Sequence, residues 1–121
     1  MRAVFLDRDG VICRNRDDHV KNFTFLLDDS TGDWSLTPAY DLSYAPGPGG
    51  EHSMTVAGEG RDPGRSHMLQ LAREADITDR DAEHIMAEVR SAVSCWADHA
   101  ANAGVSAGGI DRVAKCLSVI D

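Results

Sequence analysis

Long apolar runs are missing from this sequence. None approaches the roughly 20 residues that a membrane-spanning helix needs, and Met1 to Gly10 is too short and too acidic for a secretory leader. Cysteine is sparse: Cys13, Cys95 and Cys116 are odd in number and widely spaced, which points to neither a disulfide framework nor a zinc site. Reduced, structural thiols are the expectation. Positive charge is also short, with 12 Lys and Arg against 20 Asp and Glu, a formal net charge of −8. That deficit argues against duplex nucleic acid or an anionic membrane as the main partner. These absences leave a cytoplasmic protein as the expectation, and 121 residues suit one domain.

The charge that is present is unevenly placed. Residues 1–22 hold five basic side chains (Arg2, Arg8, Arg14, Arg16, Lys21) and four acidic ones (Asp7, Asp9, Asp17, Asp18), a sum of +1 that leaves −9 for the remainder. Charged groups this dense beside short apolar runs suggest a site rather than a core. The sequence divides into a chemically dense front, a loop-rich middle and a helical back.

The back is plain. Ser66 can cap a helix to about Ala75, with Met68, Leu69, Leu71 and Ala72 as its apolar positions. Thr78 and Asp81 resemble a capping box, with Asp in place of Glu or Gln. Behind them Ala82, Ile85, Met86, Val89, Val93, Trp96 and Ala100 recur at spacings of three and four, predicting one long amphipathic helix. Asn102-Ala103-Gly104 ends it, and Ile110, Val113, Ala114 and Leu117 mark a last, shorter helix. In the middle, Phe23 to Leu27 and Trp34 to Thr37 predict a hairpin around the turn-rich Asp28 to Asp33. Pro38 to Gly64 holds all four prolines and six of the eleven glycines, and there only His52 to Val56 resembles a further short strand. A connection so poor in regular structure is usually functional or mobile.

Two catalytic signatures overlap at the front. In Val4-Phe5-Leu6-Asp7-Arg8-Asp9-Gly10-Val11, a short apolar strand delivers two carboxylates two residues apart, then a glycine that permits a sharp turn. Such a pair can hold Mg²⁺, with one carboxylate attacking phosphorus and the other handling protons. The segment, weakly extended to Lys21, resembles the first motif of the haloacid-dehalogenase phosphohydrolases, especially sugar-bisphosphate phosphatases. That resemblance implies Asp7 as nucleophile and Asp9 as general acid/base. The doubly wound parallel sheet of those enzymes cannot be completed here, because residues 65–121 offer only helices.

The second signature is Asn15-Arg16-Asp17-Asp18-His19-Val20-Lys21-Asn22-Phe23, followed by the hairpin and by Leu36-Thr37-Pro38-Ala39-Tyr40-Asp41-Leu42. Asp17 and Asn22 lie five apart in a polar loop, and Asp41 follows the hairpin. Protein kinases use this order: an Asp that orients the substrate hydroxyl, an Asn for Mg²⁺, and a second Asp for Mg²⁺ on the phosphates. From about Asn15 to the C-terminus the sequence resembles the C-terminal domain of HipA-like serine/threonine kinases, the toxins of bacterial toxin–antitoxin pairs. The Pro-Ala-Tyr-Asp-Leu segment, the Gly50-Glu51-His52 stretch and the helical tail share in the resemblance. It implies Asp17 as catalytic base, Asn22 and Asp41 as magnesium ligands, and His19 and Lys21 as supporting residues, with Asp18 a weaker candidate. It implies Mg²⁺ and ATP as cofactors, a protein serine as substrate and an antitoxin as partner.

The expected fold is therefore mainly α with a small β-hairpin, an α+β chain forming part of a protein-kinase-like C-lobe. Residues 1–14 are expected to be a phosphatase-like stub, and residues 15–121 the HipA-like domain. A kinase also needs a nucleotide-binding lobe with a phosphate-covering loop. The internal glycine clusters, Gly47-Pro48-Gly49-Gly50 and Gly58-Glu59-Gly60, lack a strand–loop–strand context. The expectation is a kinase fragment inactive alone, with a Mg²⁺-dependent sugar-phosphate phosphatase and a non-enzymatic protein-binding helical domain as alternatives.

Overall fold

The computed structural model describes residues 10–117. The chain is a small α+β structure, with four helices packed behind a loop-rich front and one two-stranded sheet. The sheet is an antiparallel hairpin, β1 (Phe25–Leu27) and β2 (Trp34–Leu36), with Phe25 opposite Leu36, Leu26 opposite Ser35 and Leu27 opposite Trp34. Asp28 closes its loop: its Oδ1 accepts from the Ser30 amide at 2.8 Å, and its carbonyl accepts from the Gly32 amide at 2.7 Å. These are the local bonds that favour Asp in turns.

Helix α1 (Arg65–Glu74) begins two residues before a Ser66 cap would allow. Gly64 takes the cap position instead, and its N–H donates to Nδ1 of His67 at 3.1 Å, so a histidine at the third helical position reaches back to the cap. Helix α2 (Asp79–Ser94) starts as its sequence predicts, with the Thr78 hydroxyl accepting from the Asp81 amide at 3.2 Å. The single long helix expected through Ala100 is instead two. Cys95 (φ −81°, ψ 4°) interrupts it, and α3 (Trp96–Asn102) follows. The cause is local: the Ser94 hydroxyl and the Cys95 thiol both turn to the Ser91 carbonyl, at 2.7 and 3.7 Å. Such back-bonding competes with the helical ladder. The end of α3 is a Schellman arrangement, with Gly104 at φ +79°, Val105 N–H bonded to Ala100 O and Gly104 N–H to Ala101 O. Helix α4 (Ala107–Leu117) closes the described chain.

The core lies between the turn after Gly10 and the first two helices. Val11, Ile12, Val56, Met68, Leu69, Ala72, Ile77, Ala82 and Met86 form one buried cluster. The described end of the first fourteen residues is thus packed with the helices. Arg73 clamps the α1–α2 turn by a two-pronged bond to Asp79, at 2.9 and 2.6 Å. Trp96 ties α3 to α4 by donating Nε1–H to Ile110 O at 3.3 Å.

The expected strand over His52 to Val56 does not form. Val56 and Glu59 instead make a single antiparallel bridge around Ala57 (φ +49°) and Gly58 (φ +87°), and His52 N–H bonds Gly60 O at 2.7 Å. Two central residues at positive φ are what a tight two-residue hairpin turn needs, so the chain reverses before a strand can extend. No described helix is long and apolar enough to cross a membrane.

Candidate functional site

The loop that carries the second signature is positioned by hydrogen bonds of its own polar residues. Asn15 and Ala45 form a parallel bridge, with Arg16 N–H bonded to Ala45 O at 3.0 Å and Ala45 N–H to Arg14 O at 3.1 Å. This bridge lays the segment after the hairpin against the one before it. The side chain of Asn15, almost wholly buried, uses both ends of its amide. Nδ2 donates to the backbone carbonyl of Asp41 at 2.9 Å, and Oδ1 accepts from the backbone N–H of Asp17 at 3.3 Å. One buried amide therefore links the main chain at Asp17 to the main chain at Asp41, 24 positions later.

Asp17 projects outward, with its side chain about two-thirds exposed, and Nε2 of His19 meets its Oδ1 at 2.6 Å. A short 3-10 turn, Val20–Asn22, brings Asn22 back beneath it, and Asn22 Nδ2 donates to the Asp17 carbonyl at 3.3 Å. Lys21 contributes its carbonyl, which accepts from the Tyr40 hydroxyl at 2.6 Å, while Thr24 Oγ1 sits 2.7 Å from the same phenol oxygen. Tyr40 therefore ties the loop to the residue before Asp41. Asp41 itself stands in the left-handed region, φ +57°, with an exposed carboxylate that makes no hydrogen bond or ion pair among the described residues.

Beneath this surface lies Asp18, fully buried. Its Oδ1 accepts from the amides of Ser53 (2.6 Å) and Met54 (3.3 Å), and its Oδ2 faces Nδ1 of His52 at 3.1 Å. Adjacent aspartates have taken opposite tasks: Asp17 faces out and Asp18 holds the loop to the following segment. The resemblance makes Asp18 a weaker candidate and gives Asn15 no role. The available signal was the alternation itself, which in extended backbone sends neighbours to opposite sides.

Asn22 and Asp41 carry oxygen donors of the type that hard cations take. With its Nδ2 turned to the loop, Asn22 offers Oδ1, and Asp41 offers an uncommitted carboxylate. Mg²⁺ characteristically takes one or two protein oxygens and fills its shell with water and phosphate. Among the described residues no group of three or more His, Cys, Asp or Glu converges as an all-protein metal cage. A phosphate cradle for ATP does not fit the glycine clusters. Gly47–Gly50 closes on itself, Gly50 N–H bonding Gly47 O at 3.3 Å, and Gly58 belongs to the tight turn. Gly47 is needed for another reason: at φ +68°, a Cβ there would lie 2.5 Å from Glu51 O and 2.7 Å from Cβ of Arg16.

Asp7 and Asp9, the phosphatase-like pair, lie outside the described residues.

A small α+β domain whose polar loop and hairpin precede a helical tail is the class these features define. A family model described as the HipA-like C-terminal domain matches residues 9–96, well over half the sequence, and the chain belongs to that family. No curated protein and no solved structure matches it. The phosphatase resemblance of residues 1–22 draws no support from this match.

Proposed function

We propose that the chain supplies the catalytic-loop half of a serine/threonine kinase site, in which ATP phosphorylates a protein serine. The observation that carries this reading is the Asn15 bridge between the backbones of Asp17 and Asp41. It ties together the backbones of the two residues read as base and metal ligand, which lie on separate segments, and so supports the positioning that phosphoryl transfer requires. Asp17 orients the serine hydroxyl: His19 occupies its Oδ1 and leaves Oδ2 to accept the proton. Asn22 Oδ1 and the Asp41 carboxylate would hold Mg²⁺, which neutralises charge on the phosphates when bound. The described glycine turns offer ATP no cradle, so activity calls for a nucleotide-binding lobe in addition to the described residues.

The test is a Mn²⁺ titration of the full chain followed by amide NMR. Paramagnetic broadening centred on Asn22 and Asp41, lost in an Asn22→Ala, Asp41→Asn double variant, supports the metal assignment. Broadening centred elsewhere, or unchanged in that variant, overturns it. Stabilisation by millimolar Mg²⁺ and ATP is the companion measurement, since a ligand of the native state raises stability.

One observation favours a second reading, a non-enzymatic protein-binding domain. Phe25, Leu27 and Trp34, which share one face of the hairpin, are between 44% and 64% exposed, an apolar patch of the kind that marks contact surfaces. A partner, an antitoxin among the candidates, retained by Asp17→Ala and lost by Trp34→Ser would carry that reading.

A further inference from the structure

The hairpin ladder ends before it reaches Asn22 and Asp41. The register that sets Phe25 opposite Leu36 carries on to Thr24 and Thr37, joined by Thr37 N–H to Thr24 O at 2.9 Å. In an antiparallel pair every second position is hydrogen-bonded, so the next rung would join Asn22 to Ala39. Asn22 N–H is already committed to His19 O, at 2.9 Å in the 3-10 turn. Backbone pairing therefore leaves the two residues read as magnesium ligands on separate arms, beyond the base of the sheet.

Tyr40 takes over at that point. Its hydroxyl oxygen lies 2.6 Å from Lys21 O and 2.7 Å from Thr24 Oγ1. A phenol carries one hydrogen and a carbonyl can only accept, so that hydrogen goes to Lys21 O and the Thr24 hydroxyl donates to the phenol. The result is a directed chain from Thr24 Oγ1–H to Tyr40 Oη–H to Lys21 O, and bonds in such a chain polarise and strengthen one another. Lys21 immediately precedes Asn22, and Tyr40 immediately precedes Asp41. One phenol thus spans the two arms beside both residues.

Three side chains now connect three positions pairwise. Asn22 Nδ2 reaches Asp17 O at 3.3 Å, and the Asn15 amide joins the backbones of Asp17 and Asp41. Tyr40 supplies the third side, from the backbone entering Asn22 to the residue entering Asp41. Asp41 needs restraint on both flanks, because at φ +57° it holds a conformation that extended chain does not favour. Asn15 holds its carbonyl, and Tyr40 anchors the preceding residue. We propose that Tyr40 is a positioning residue, whose hydroxyl sets Asn22 and Asp41 against each other so that one divalent cation can take an oxygen from each. It acts through the backbone, and the role rests on the reading of Asn22 and Asp41 as magnesium ligands.

The test titrates the full chain with Mn²⁺ and reads paramagnetic broadening of the amide NMR signals, with amide exchange measured in the metal-free state. Tyr40→Phe removes one oxygen from a ring that is 42% exposed, and the fold should be retained. Mn²⁺ binding at Asn22 and Asp41 should weaken about fivefold, the net effect of one hydrogen bond. Exchange of the Asn22 and Phe23 amides, which bond His19 O and Val20 O, should quicken by a similar factor. Thr24→Val removes only the donor behind the phenol and should weaken Mn²⁺ binding about twofold; it decides the matter should Tyr40→Phe not fold. Trp96→Phe deletes the bond to Ile110 O between α3 and α4 and should leave Mn²⁺ binding unchanged. Quicker exchange with unchanged Mn²⁺ binding makes Tyr40 a structural tie alone and overturns the positioning role, as does an equal loss of binding in Trp96→Phe. A parent chain that shows no broadening at Asn22 and Asp41 is a separate outcome, which defeats the magnesium reading and takes this role with it.

Discussion

Asp18 and His52 face each other at 3.1 Å with both side chains wholly shielded from solvent. The side chain has no water to turn to, so its stability depends on the groups around it: the donating amides of Ser53 and Met54, and His52 Nδ1. Those groups lie within the proline- and glycine-rich connection between the hairpin and α1. This pair is therefore what fastens the loop of residues 15–22 to the middle of the chain, without a strand to do it.

Asp18→Ala should consequently be among the most damaging single changes in the molecule. It leaves the Ser53 and Met54 amides and the facing His52 nitrogen without their partner, and each group so stranded costs about 1–3 kcal/mol. Asp18→Asn keeps one acceptor oxygen for the amides and should cost only about 1–3 kcal/mol. Urea unfolding of the two variants measures the difference, and a loss below about 1 kcal/mol for Asp18→Ala would contradict the fastening role.

The helices and the hairpin were legible because their signals are local. The Thr78 cap, the three-and-four spacing from Ala82 to Val93 and the Gly104 stop each act within a turn of themselves. The break at Cys95 was not legible from the apolar pattern, since it arises from polar side chains bonding Ser91 while the apolar spacing continues unbroken. At the site, the motif displayed Asp17, Asn22 and Asp41 by type and order. What it could not display were contacts between distant segments: Asn15 with the Asp41 carbonyl, Asp18 with His52, and Arg14 with Asp62. Each pairs residues at least 26 positions apart, and no periodicity encodes such a meeting.

Asp41 offers a prediction in which stability and binding separate. Its φ of +57° disfavours a residue with a Cβ by roughly 1–2 kcal/mol, less for Asp than for most. Asp41→Gly relieves that strain but raises the entropy lost on folding by roughly 0.5–1 kcal/mol. Its stability should therefore stay within about 1 kcal/mol of the parent, while Mn²⁺ broadening at the loop disappears. Asp41→Val, β-branched at a positive φ, should lose both stability and metal. Thermal unfolding paired with the Mn²⁺ titration distinguishes the two variants, and equal destabilisation by Gly and Val would refute the strain argument.

The exposed hairpin predicts an inversion of the usual rank of residues. Trp34 is the larger side chain, yet it is 64% exposed, whereas Met68 is fully buried against the first turn and α2. Trp34→Ser should change unfolding free energy by no more than about 0.5 kcal/mol. Met68→Ala opens a cavity and should cost about 2–5 kcal/mol. Denaturant midpoints at matched slope decide it, and a Trp34 loss comparable to the Met68 loss would show that the hairpin's apolar side is covered in solution.

Acid should weaken the contact between Arg14 and Asp62. The hydrogen bond from Arg14, together with the nearby charges of Arg14, Arg16 and Arg61, holds the Asp62 carboxyl below the ordinary carboxylate range despite some opposing burial. A depressed folded value means the folded state binds this proton less readily than the unfolded chain does. Its stabilising contribution is thus complete above the unfolded value, about 3.9 for Asp, and is lost as the pH falls through the folded value. Because Asp62 is largely exposed, solvent screens the effect and its size should be small. Asp62→Asn should flatten this part of the acid slope while leaving stability at neutral pH little altered. Unfolding free energies of parent and variant from pH 6 downward provide the check, and parallel curves would show that the Arg14–Asp62 contact contributes nothing in solution.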